Sequence, residues 1–330
     1  MSATASAAAR VAGRGARVSP MRKRADQLGD RLLLGICLLA ALTAGAIIFL
    51  VGYQIIHGAS PAISKYGFGF VYETVWQPNF GVFGAGSLLF GTAVTSAFAL
   101  LLGAPIAIAI GLFLTLLAPK GVGAVIGPLV ELLAAIPSVI LGFWGLLVLA
   151  PFLQEHIEPF LHGTFGFIPI FGAQETTGLS VFTASLILTI MVIPIIASIS
   201  RDLFQSVPPE LQDGAAALGA TRWEVVRGIV LPTTSSGVVA ACILGLGRAL
   251  GEAIAVSQVI GAGSEIQTSL FKTGDTLASR IALQFPGALT ELHKASLFYC
   301  GVILLVIGLA ANLVASWIGR RFSYSGAVNW

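Results

Sequence analysis

The sequence holds 330 residues, 56% of them hydrophobic and only 10% charged, with a mean hydropathy of +0.92. That balance excludes a soluble domain, because apolar runs longer than about 18 residues with few charges read as membrane spans and several are present. The formal net charge of +3 is concentrated near the N-terminus, where the adjoining span makes membrane topology, rather than nucleic-acid binding, its explanation.

Taken in order, residues 1–31 are rich in Ala, Gly, Ser and Arg without hydrophobic period and read as a basic cytoplasmic tail. Residues 32–56 form the first span, longer than the ~7–15-residue core of a cleaved signal. An outer segment, 57–84, carries Trp76 among aromatics that suit the interface. The second span covers about 85–117, and the third is expected over about 123–153, with Glu131 and a helix-bending Pro137 inside it. An outer loop over 154–178 includes Glu155, Glu158 and Glu175. The fourth span, about 179–199, ends at Arg201; the fifth is expected as one helix from about 233 to 260, and the sixth over 295–318. Between the last two, residues 261–294 have room for a short helix. Arg10, Arg14, Arg17, Arg22, Lys23, Arg24 and Arg31 then share a side with Lys120, Arg201, Arg222, Arg227, Arg320 and Arg321. Lys65, Lys272, Arg280 and Lys294 fall opposite. Positive residues mark the cytoplasmic face, so both termini are expected inside, as six spans require.

One long polar segment, 201–232, separates two apolar stretches. Within it, Pro208 and Pro209 can open a helix and Glu210 and Asp213 suit the positive end of its dipole, while Gly219 can close it. A second helix is expected from Thr221, with Trp223, Val226 and Val230 on one face. The spacing Asp213-Gly214-Ala215, three residues, Gly219, nine residues, Ile229, one residue, Leu231-Pro232 resembles the EAA loop of binding-protein-dependent ABC import permeases, with Asp213 and Gly214 departing from the Glu-Ala consensus. The resemblance implies that this loop docks into a separate ATPase subunit.

The fifth span contains GLGRALGEAIAV, in which Arg248 and Glu252 lie four residues apart. Charges within a bilayer are costly, on the order of 2.5–3.5 kcal/mol on insertion scales, so they pair or line a path. Two readings stay open: a local pair, or a link to another span through Glu131, that only makes the helix tolerable; or an Arg248 that meets an anion in transit while Glu252 holds it and keeps the anion from being trapped, which makes Arg248, Glu252 and Glu131 the candidate residues of the substrate path. Gly247 and Gly251 beside the pair suit close helix packing.

GRALGE, together with VELLAAIP at 130–137 and IPSVILGFWGL at 136–146, resembles the PstC-type permeases of phosphate-specific ABC importers, with Ala253 and Ile254 departing from the Thr-Met expected after the glutamate. The resemblance implies an all-α, six-span type I importer (MetI-like) fold with its permease core over 85–325. It also implies a multi-pass place in the bacterial cytoplasmic (inner) membrane. The partners it implies are a PstA-type permease in a heterodimer, a PstB-type ATPase dimer that binds ATP and Mg, a PstS-type external phosphate-binding protein, phosphate and membrane lipid. No GxxxxGK[ST] loop occurs, so ATP hydrolysis is assigned to a separate chain, and neither a catalytic motif nor a metal-ligand spacing stands out among four histidines and three cysteines. No cofactor of the chain's own is expected.

Overall fold

The computed structural model describes residues 20–172 and 177–321, so Glu175 of the expected outer loop lies outside the described residues. The chain divides into two compact units, Met1–Gln54 and Ile55–Trp330. In the first, the described residues continue a single helix, α1 (Pro20–Tyr66), whose apolar side chains from Leu32 to Val51 are exposed, as suits a surface solvated by hydrocarbon. Thr43 donates to the Leu39 carbonyl one turn back, which satisfies its hydroxyl without a partner helix.

The second unit is also helical: α2 (Gly86–Leu117), α3 (Lys120–Ala134), α4 (Ser138–Phe165), α5 (Val181–Gln205), α6 (Pro209–Ala217), α7 (Arg222–Gly251), α8 (Ile254–Val259), α9 (Leu277–Gln284) and α10 (Glu291–Arg321). Among the described residues six helices are long and apolar enough to cross a membrane: α1, α2, α4, α5, α7 and α10.

Two expected spans differ. The third is not one helix from residue 123: it stops at Ala134 and restarts at Ser138, because Pro137 has no amide to donate and its ring excludes a preceding helical turn. At 15 residues, α3 is about 22 Å long, too short to cross alone. The crossing is made instead by α4, which runs on to Phe165 through π-helical turns at Gly145–Leu149 and Leu153–Ile157, so the outer loop begins later than expected. The fifth span ends at Gly251 rather than near 260; Glu252 is extended, and α8 follows as a separate short helix.

The core is organised around α5, the most buried of the spans. Ile187, Leu188, Val192 and Ile196 of α5 pack with Ala99 and Ala107 of α2, Ala241 of α7, and Val256 and Val259 of α8. Small residues allow this approach: a Cβ at Gly103 would come within 2.7 Å of Val192, and one at Gly245 within 2.7 Å of Ile196. On the side of the expected outer segments, Phe70, Trp76, Phe83, Leu277 and Tyr299 form a second cluster, with Phe70 stacked on Tyr299 at 4.5 Å. The expected short helix between the last two spans is α9. It is fastened by the Leu277 amide donating to Thr92 Oγ1 and by a buried ion pair, Arg280 Nε to Asp275 Oδ2 at 2.6 Å. Burial pushes the Asp275 carboxyl up from its ordinary range, and the Arg280 guanidinium pulls the other way.

Candidate functional site

The intramembrane charges sit where α7 stops. Arg248 lies in the last turn of the helix, where a cation meets the negative end of the dipole. Glu252, with ψ of 118°, leaves the helical path and turns its carboxylate onto the start of α8: its Oε1 accepts from the Ala255 amide at 3.2 Å. Its Oε2 lies 3.6 Å from Arg248 Nη2. The glutamate side chain is 7% exposed and the arginine 42%. Glu252 is therefore fixed by an amide and a cation, while Arg248 stands at a longer distance from its partner and turns its guanidinium to the open side. Added Cβ atoms at Gly247 and Gly251 would meet nothing within 4 Å, so that side of α7 is open in this chain. It borders an apolar groove shared with Ile281 and Phe285 of the outer segment and Leu297 and Gly301 of α10.

Glu131 is not part of this pair. It sits on α3 and accepts from Arg201 Nη1 at 2.9 Å, so the suggested link from the fifth-span pair to Glu131 is replaced by a link to the end of α5. α3 and Arg248 are connected indirectly: past the Pro137 break, α4 carries Gly142, and a Cβ there would lie 2.9 Å from Ala255 Cα of α8. The interruption after Gly251 that brings Ala255 under Glu252 had no proline to announce it.

The polar segment forms two helices with different roles in packing. α6 begins after Pro208, with Glu210 in its first turn, and Gly219 closes it at φ +88°, the left-handed conformation that favours glycine. Glu210, Asp213, Gly214 and Gly219 are exposed and Ala215 is half-buried. The next turn starts with a capping box: Thr221 Oγ1 accepts from the Glu224 amide and Glu224 Oε2 accepts from the Thr221 amide at 2.7 Å. Ile229 and Leu231 pack with Phe204, Val207, Val230 and Val238, and Pro232 is half-buried beside them. Trp223 departs from the expected shared face: Val226 and Val230 are buried, whereas the indole is 64% exposed. Leu218, 92% exposed, is a further apolar side chain standing out of this loop that the residue pattern alone did not single out.

Residues 107–324 match the family model described as "Binding-protein-dependent transport system inner membrane component". The chain is 41% identical over 291 residues to the "Phosphate transport system permease protein PstC" of Mesorhizobium japonicum, covering 86% of this chain and 89% of that protein. It is 42% identical over 278 residues to the protein of the same name in Haemophilus influenzae, covering 83% and 85%. The chain belongs to the PstC family of transport permeases. Among solved structures, a bacterial alginate ABC transporter in complex with a pentasaccharide-bound periplasmic protein has a chain that superimposes with a TM-score of 0.59 at 20% identity, covering 92% of this chain and 99% of that one. The fold is thus that of an ABC importer permease, and with six apolar helices this PstC-family chain is a multi-pass membrane protein.

Proposed function

We propose that the chain is the permease subunit of an ATP-driven, receptor-dependent importer of inorganic phosphate, contributing half of the translocation path. The observation that carries the reading is Arg248: a half-exposed guanidinium at the end of an apolar span, kept in place by a buried carboxylate that is itself anchored to the next helix. An exposed guanidinium suits a phosphate oxyanion, and the nearby Glu252 charge keeps the attraction from becoming a trap. The relatives named for phosphate transport support this choice of anion.

In this reading the chain resides in the bacterial cytoplasmic membrane with both termini inside and pairs with a PstA-type permease. It receives phosphate from a PstS-type binding protein and is not itself an enzyme. ATP and Mg²⁺ belong to a PstB-type ATPase dimer. The exposed loop bearing Glu210, Asp213, Gly214, Ala215 and Gly219 docks into that ATPase, and Ile229, Leu231 and Pro232 root it in the membrane core. Closure of the ATPases moves the loop, and the helices beside it expose Arg248 alternately to the two sides; the driving free energy comes from contacts that differ between the two states.

The test is labelled-phosphate uptake in a strain lacking this chain, complemented with wild type or Arg248→Gln, with excess sulfate as competitor. Wild type restores uptake that sulfate does not suppress, and Arg248→Gln inserts normally without restoring it. Uptake abolished by sulfate overturns the substrate assignment in favour of a general oxyanion permease, and normal uptake by Arg248→Gln makes the ion pair purely structural.

A further inference from the structure

The α3 helix, KGVGAVIGPLVELLA, is almost wholly apolar and does not cross the membrane alone, yet it carries Glu131 three residues before its end. The carboxylate meets Arg201, four residues before the end of α5. The contact is prepared on both sides. Gly127, one turn before Glu131, leaves room for the guanidinium, since a Cβ there would lie 2.6 Å from Arg201 Nη1. Gly111 of α2 lets the Arg201 backbone pass, its added Cβ falling 3.2 Å from the Arg201 amide nitrogen. Beyond Arg201 the chain turns through Ser206, the buried Val207 and Pro208 into α6, a joint of three residues between the end of α5 and α6.

At its other end α3 joins α4 through Ala135, Ile136 and Pro137, and α4 backs onto α8 where Gly142 faces Ala255. The Ala255 amide is held by Glu252, and Glu252 holds Arg248. From α6 to Arg248, every step is therefore a short covalent joint or a packed contact. The side chains of Glu131 and Arg201 are 52% and 24% exposed within this chain, so the pair lies at its surface. The pair is the polar tie between α3 and the end of α5.

We infer that Glu131 is a positioning residue for transport, and that its ion pair with Arg201 passes movement of the cytoplasmic loop through α3 and the Pro137 break to the Arg248–Glu252 site. The inference rests on the permease reading above, and it moves Glu131 from the anion path to the linkage that drives it.

The experiment uses the complete transporter in proteoliposomes, with its second permease, ATPase and phosphate receptor, and reads phosphate imported per ATP hydrolysed. Glu131→Gln and Arg201→Gln each lower that ratio about fivefold with the KM for phosphate unchanged. The exchange of Glu131→Arg with Arg201→Glu recovers at least half of the loss. An unchanged ratio in the single variants overturns the inference, and so does a raised KM at constant ratio, which returns Glu131 to the anion path. If Arg201→Gln fails to assemble, Glu131→Gln and the exchange variant decide by the same ratio. A wild-type complex that moves no phosphate removes the permease reading and this inference together, whereas an altered variant result against a working wild type bears on the inference alone.

Discussion

Arg248 and Glu252 divide one electrostatic task unequally. The carboxylate is nearly inaccessible and is held by the Ala255 amide and the guanidinium; the arginine is 42% exposed and lies 3.6 Å from it. Replacing Glu252 by Gln keeps an oxygen able to accept from the Ala255 amide and removes only the charge. The start of α8 then survives, while Arg248 is left without its compensating anion in a medium where charge is expensive. We expect Glu252→Gln to insert normally, to lower the apparent KM for phosphate, and to cut the maximal uptake rate about tenfold, because an anion bound to an uncompensated arginine leaves slowly. Initial-rate uptake over a range of phosphate concentrations checks this. Unchanged kinetics would confine Glu252 to capping α8.

At the scale of elements, much was legible and the exceptions have identifiable causes. Long apolar runs announced the spans, and Pro208, Gly219 and the Ile229–Leu231 spacing announced the polar loop. Pro137 was visible as a disturbance, but whether it bends a helix or ends one depends on what packs on either side, and only the structure shows α4 taking over the crossing. The break after Gly251 carries no proline, and the contact that accompanies it, Glu252 accepting the amide three residues on, is made by a side chain whose direction the sequence does not show. Trp223 was misplaced because it stands in the first turn of α7, before the first buried residue of that helix, Val226, so helical spacing alone does not tell where the packing begins. The partner of Glu131 lies seventy residues away, and nothing local in the sequence indicates it. The α4–α8 contact gives an element-scale prediction. A methyl at Gly142 would stand 2.9 Å from the Ala255 backbone, which cannot rotate aside. Gly142→Ala should therefore destabilise by about 1–3 kcal/mol and reduce uptake. Gly121→Ala, with nothing within 4 Å, should be neutral or slightly stabilising. Thermal denaturation of the two purified variants against wild type decides; equal stability of both would mean that α8 is free to retreat from α4.

For the whole molecule, the arrangement of loops must agree with the direction of transport. The segment holding Leu218 joins α5 to α7, and the segment holding Leu289 joins α9 to α10; with helices crossing in turn, these two loops belong on opposite faces. In the importer reading, Leu218 faces the cytoplasm, where the ATPase is, and Leu289 faces the receptor. Both side chains are 92% exposed, so a cysteine at either position is reachable without disturbing packing. Native Cys37, Cys242 and Cys300 all lie within apolar helices, so they give little background with a charged reagent. A membrane-impermeant maleimide should label Leu289→Cys in intact spheroplasts and Leu218→Cys only after lysis. The reverse pattern would invert the orientation and place the EAA-like loop out of reach of ATP. Labelling of both positions before lysis would remove the α7 crossing between them.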